Sequence, residues 1–98
     1  MNHYLKHLNL SQYIYLNLNM DLKNLITIDN EILGGQPVFN GTRVPVESLF
    51  DHLEAGISLT HFLEDFPSVS KNQAVSVLEI ANKLLTSQNI EKLYANIA

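Results

Sequence analysis

The dipeptide Asn40-Gly41 constrains this chain most. It sits between two short apolar segments, Pro37-Val38-Phe39 and Val44-Pro45-Val46. A two-residue hairpin loop of the favoured type needs positive φ at both central positions, which Asn and Gly tolerate best. The stretch therefore predicts a small β-hairpin over 36–46, with Phe39 near Val44 and Arg43 beside the turn. Pro37 and Pro45 each remove a ladder donor, so the hairpin must be an edge element or loosely paired. Just before it, Gly34-Gly35 reads as a place where the backbone takes conformations closed to other residues.

After the hairpin the period changes from two to 3.6. Val46, Leu49, Phe50 and Leu53 fall at i, i+3, i+4 and i+7, predicting a helix over about 46–55 that stops at Gly56. Glu47, Asp51 and Glu54 occupy its other face. Ser58 is placed to cap a second helix, about 59–66, with Leu59, Phe62, Leu63 and Phe66 inward and Pro67 barring continuation. Ser70 with Gln73 three residues on forms a capping box for a third helix, about 71–86. Its apolar stripe is Ala74, Val77, Leu78, Ala81, Leu84 and Leu85. Ile90, Leu93, Tyr94 and Ile97 then continue that helix or form a fourth over 88–97. The second and third helices are joined through Pro67-Ser68-Val69-Ser70. The fold class expected is therefore mainly α: a three- to four-helix, helix-turn-helix-like (winged-helix or homeodomain-like) bundle with an N-terminal β-hairpin.

Ahead of the hairpin, Leu25-Ile26-Thr27-Ile28 is a short β-branched run stopped by Asp29-Asn30. Further upstream, Ile14, Leu16, Leu18 and Met20 alternate with Tyr15, Asn17 and Asn19, the period of a half-buried strand. Residues 1–19 are expected to be an extension or a dimerisation arm, and 20–98 a single domain. The length of 98 residues allows one modest core. The chain has no cysteine, which removes disulfides and thiolate chemistry, and no apolar run near the roughly 20 residues of a membrane span. Its first residues lack the pattern of a secretory signal, so a cytoplasmic location is expected. A formal net charge of −4 works against strong nucleic-acid binding and suits a basic partner.

Six pieces recur here in one order: Ile28-Asp29; Gly34-Gly35-Gln36-Pro37-Val38; Asn40 to Val46; Gly56-Ile57-Ser58; Leu63 to Pro67; and Val69-Ser70. In this series the chain resembles the small bacterial domain-of-unknown-function family 433, over about Leu25 to Leu85. The resemblance implies a helix-turn-helix-like fold and the antitoxin half of a toxin–antitoxin pair. The toxin of such pairs is similar to a PIN-type ribonuclease.

The chemistry-bearing residues are few. Gly34-Gly35 has no Lys at P-loop spacing and opens no helix after a strand, so it reads as turn geometry, as do Asn40 and Gly41. Arg43, the only arginine, could bind a carboxylate or phosphate on a partner, or clamp Asp29, Glu31 or a helix C-terminus. His52 and His61 stand on neighbouring helices and His3 and His7 at i, i+4, without the three or four convergent ligands of a metal site. Asp51, Glu54, Glu64 and Asp65 form an acidic face suited to the basic groove of a ribonuclease, with Glu64 and Asp65 the candidate partner contacts. Lys71, Asn72, Gln73 and Ser76 lie in the first turns of the candidate recognition helix and form the candidate nucleic-acid set. No nucleophile–base pair, cofactor motif or metal cluster is apparent in the sequence, so catalysis is not expected. The functions expected are masking of a PIN-like nuclease toxin or, alternatively, DNA-binding regulation of its own operator; a two-fold homodimer is the assembly expected.

Overall fold

The protein is described by a computed structural model covering residues 21–97; the expected arm over 1–19 lies outside the described residues. Elements follow in the order α1 (Asp21–Leu25), β1 (Ile26–Thr27), a 3-10 turn (Leu33–Gly35), β2 (Val38–Phe39), α2 (Val46–Glu54), α3 (Leu59–Asp65), α4 (Lys71–Thr86) and α5 (Gln88–Ile97). The described part is thus mainly helical, with one two-stranded antiparallel sheet. The short helix α1 was not foreseen, and β1 is the kernel of the expected β-branched run.

The sheet departs from the expected hairpin. β2 takes its ladder from β1, with Ile26 opposite Phe39 and Thr27 opposite Val38. On its other side the hairpin over 36–46 is reduced to an isolated bridge between Val38 and Pro45. Phe39 N–H does donate to Val44 O at 3.0 Å, so these residues are neighbours as expected. The bridge goes no further because Pro37 has no N–H to return to Val46 O and Val44 N–H is taken by Thr42 Oγ1 at 3.0 Å. Thr42 closes the loop twice onto Phe39 O, through its N–H at 3.0 Å and its hydroxyl at 2.8 Å.

The turn type explains the short ladder. Gly41 has φ 77°, whereas among described non-glycine residues only Leu33 has positive φ, so Asn40 does not. Positive φ at the second central position alone is the type II pattern, which splays the flanking strands instead of matching their twist. Asn40 is instead tied to the end of α1 and to β1: its N–H donates to Leu25 O at 2.8 Å, and its Oδ1 accepts from the Thr27 hydroxyl at 2.8 Å.

The helix limits follow the local signals. Pro45 stands at the N-cap of α2, and Val46 N–H reaches back to Pro37 O at 3.0 Å, joining the helix to the β2 segment. At the other end Ile57 N–H donates to His52 O and Gly56 N–H to Leu53 O, the paired bonds of a Schellman stop. Ser58 Oγ caps α3 by accepting from His61 N–H, and Ser70 with Gln73 forms both halves of the capping box on α4. Between α4 and α5, Ser87 is extended (φ −82°, ψ 167°), so the last segment is a separate helix.

One cluster of buried side chains draws on every layer: Phe39 from β2, Leu49 from α2, Phe62 from α3, Val69 from the linker, and Ala74 and Val77 from α4. Each large apolar side chain in it contributes about 1.5–3 kcal/mol relative to exposure. Phe62 is central, with its ring 6.2 Å from Phe39 and 5.0 Å from Phe66, in tilted geometry. The α4 stripe does not all reach this core: Leu85 is 67% exposed. Burial also thins along α5, where Leu93, Tyr94 and Ile97 are exposed.

Candidate protein-interaction surface

The chemistry a surface can offer depends on which polar side chains the fold has already used. Gln73 is used at both ends. Its Oε1 accepts from Ser70 N–H at 3.0 Å, and its Nε2 donates to Asn40 O at 2.9 Å across the molecule. This clasp ties the start of α4 to the turn of the β segment. Ser76, half-buried, lines a cleft of about 280 Å³ between α1 and α4, together with Asn24, Leu25, Glu79, Ile80 and Lys83. Only Lys71 and Asn72 of the candidate nucleic-acid set stand together, exposed, in the first turn of α4. The four residues are therefore not brought onto one reading face.

Arg43 is exposed and, among the described residues, makes no ion pair. The expected clamp on Asp29, Glu31 or a helix end is not formed; Asp29 Oδ1 instead accepts from Glu31 N–H at 2.9 Å within its own turn. Thr42, not Arg43, secures the loop, and the guanidinium is left facing solvent. Gly34, Gly35 and Gly41 all adopt positive φ, in keeping with a purely geometric role.

The acidic face lies on α2 and α3. Glu47, Asp51, Glu54, Glu64 and Asp65 are all exposed, and no Lys or Arg occurs between Arg43 and Lys71. Gln36 Nε2 donates to Glu47 Oε2 at 3.1 Å, tethering one of these carboxylates. Asp65 faces His52 Nε2 at 3.7 Å. The His52 ring is built into the fold: its Nδ1 lies 2.7 Å from Ser48 O, a carbonyl that can only accept, so Nδ1 carries the proton. The same ring packs edge-on against Phe62 and Phe66, at 5.3 and 5.4 Å. His52 thus joins α2 to α3 beneath the acidic surface, a role its sequence position did not signal. Among the described residues no three His, Asp or Glu side chains converge as metal ligands would. No helix there is long and apolar enough to cross a membrane.

Fold and surface together define a small helical module whose turns are fastened to α2 and α4 and whose exposed carboxylates gather on α2 and α3. The chain belongs to the family described as "Protein of unknown function (DUF433)", whose model matches residues 26–81. It is also similar to the uncharacterized protein y4eO of Sinorhizobium fredii (strain NBRC 101917 / NGR234), with 39% identity over 64 residues. That match takes in 63% of this chain and spans 29% of the length of the curated relative. Among solved structures, the crystal structure of a DUF433 member protein from Anabaena variabilis ATCC 29413 aligns with a TM-score of 0.54 at 22% identity. The alignment covers 97% of this chain and 99% of that one, a likeness of fold.

Proposed function

We propose that this chain is an antitoxin-like protein that masks a PIN-like ribonuclease with the acidic face of α2 and α3. The observation that carries this reading is the run of exposed carboxylates from Glu47 to Asp65, uninterrupted by Lys or Arg. A nuclease groove must neutralise phosphates and is therefore cationic, so a carboxylate-bearing helix pair can occupy it in place of RNA. The nature of the toxin rests on the family resemblance. Arg43, exposed and without an ion pair among the described residues, adds a bidentate donor for a carboxylate at the rim of such a contact.

The test is co-expression with the product of the adjacent gene, followed by co-purification and an RNase assay. The wild-type chain should co-purify and suppress cleavage. The double variant Glu64→Lys/Asp65→Lys should fold normally and lose both. Unchanged binding by that variant would sink the acidic-face reading.

A second reading keeps α3 and α4 as a helix-turn-helix in the winged-helix or homeodomain-like manner, binding its own operator as an autoregulatory dimer. Exposed Lys71 and Asn72 at the start of α4 favour it, as a phosphate contact and an adenine reader. The use of the Gln73 amide on Asn40 O and the place of half-buried Ser76 on the α1–α4 cleft count against it. A gel shift on the chain's upstream DNA separates the two. Binding lost in Lys71→Ala and weakened by salt supports regulation.

A further inference from the structure

The connection from β1 to β2 carries the one strained residue of the described backbone. Leu33 has φ 49°, a left-handed conformation that a γ-branched side chain rarely adopts, and it is 45% exposed. Nothing in the core needs it there. The turn nonetheless holds it firmly. Ile32 N–H donates to Asp29 O at 2.8 Å, Gly35 N–H to Ile32 O at 3.1 Å, and Gln36 N–H to Leu33 O at 3.3 Å. Gly34 and Gly35 continue the left-handed path, and the Gln36 side chain fastens the end of the turn to Glu47 on α2. An apolar side chain is thereby presented to solvent by a rigid, strained support, and such strain concentrates at functional sites.

Next to this turn lies an open groove of about 420 Å³, lined by Leu22, Lys23, Ile26, Thr27 and Ile28. Ile28, 66% exposed, belongs to both the groove and the start of the connection, so the two features are contiguous. Their charges are opposite: Lys23 lies on the groove, and Asp29 and Glu31 flank the presented leucine. None of these three has an ion-pair partner among the described residues.

We propose that this surface is a two-fold interface between copies of the chain, with Leu33 of each seated in the groove of Leu22, Ile26 and Ile28 of the other. Asp29 and Glu31 of each copy then face Lys23 of its mate. A two-fold contact uses the same patch on both copies, so that patch must carry both the knob and its socket; this one does, with charges of both signs beside them. The proposal stands apart from toxin masking, which uses α2 and α3, so either can fail alone.

The experiment is sedimentation equilibrium of the full chain between about 1 and 500 µM, the window expected of a small interface. Wild type should show a monomer–dimer equilibrium. Leu33→Gly should weaken it about tenfold or more, while the variant's melting temperature in dilute solution stays at or above the wild-type value, since glycine takes φ 49° freely. Lys23→Glu should weaken dimerisation, and adding Glu31→Lys to it should restore it. A monomer throughout the range overturns the proposal. So does a dimer indifferent to Leu33→Gly, or a charge swap that fails to restore association.

Discussion

Gln73 offers the sharpest test of how this fold is held together, because its two amide ends do separable work. The Oε1 completes the capping box on Ser70 N–H, and the Nε2 reaches Asn40 O. Gln73→Ala removes both. Loss of the side-chain cap costs about 0.5–1 kcal/mol and loss of a half-exposed cross-molecule hydrogen bond about 0.5–1 kcal/mol, giving a total of about 1–2 kcal/mol. For a domain this small, that lowers the melting temperature by about 5–12 °C. Gln73→Glu isolates the second bond: it keeps an acceptor for Ser70 N–H and adds a negative charge at a helix N-terminus, favourable by about 0.3–1 kcal/mol. It also sets a carboxylate against the Asn40 carbonyl. The expected order of stability is wild type, then Glu, then Ala, read by thermal and urea denaturation. Ser70 N–H should keep its exchange protection in the Glu variant and lose it in the Ala variant. A Glu variant more stable than wild type by the full dipole gain of about 0.3–1 kcal/mol would show that the clasp to Asn40 adds nothing, and the link between α4 and the turn would have to be abandoned.

Three other outcomes follow from the packing and the backbone. Phe62→Ala empties the centre of the aromatic cluster and should cost about 3–5 kcal/mol in urea unfolding, most of the stability of such a domain. Gly41→Ala has open space for its Cβ and should lose only the left-handed penalty of about 1–2 kcal/mol; Gly35→Ala also meets Asn30 Oδ1 at 2.9 Å and should melt lower than the Gly41 variant. Ser58→Ala removes the acceptor for His61 N–H and should cost about 0.5–2 kcal/mol, with the exchange rate of that amide rising in step.

The sequence by itself determined the helices and their limits. Ser58, Ser70 with Gln73, Gly56 and Pro67 act within a turn of where they stand, so α2, α3 and α4 begin and end within a residue or so of the expected bounds. The apolar stripes likewise pick out Leu49, Phe62, Ala74 and Val77 as core, because helical spacing alone puts them on one face. What only the tertiary structure decided involves partners far apart in the chain. β2 pairs on both edges, with a two-residue ladder to Ile26–Thr27 on one and a single bridge to Pro45 on the other, where Pro37 lacks a donor and Thr42 takes Val44 N–H. Gln73 looked like a base reader until the fold brought Asn40 within hydrogen-bond reach, and Arg43 looked like a clamp until the loop was seen closed by Thr42. Caps and periodicity are local and legible; the fate of a polar side chain depends on which backbone group the collapsed chain sets beside it, and no spacing along the sequence encodes that.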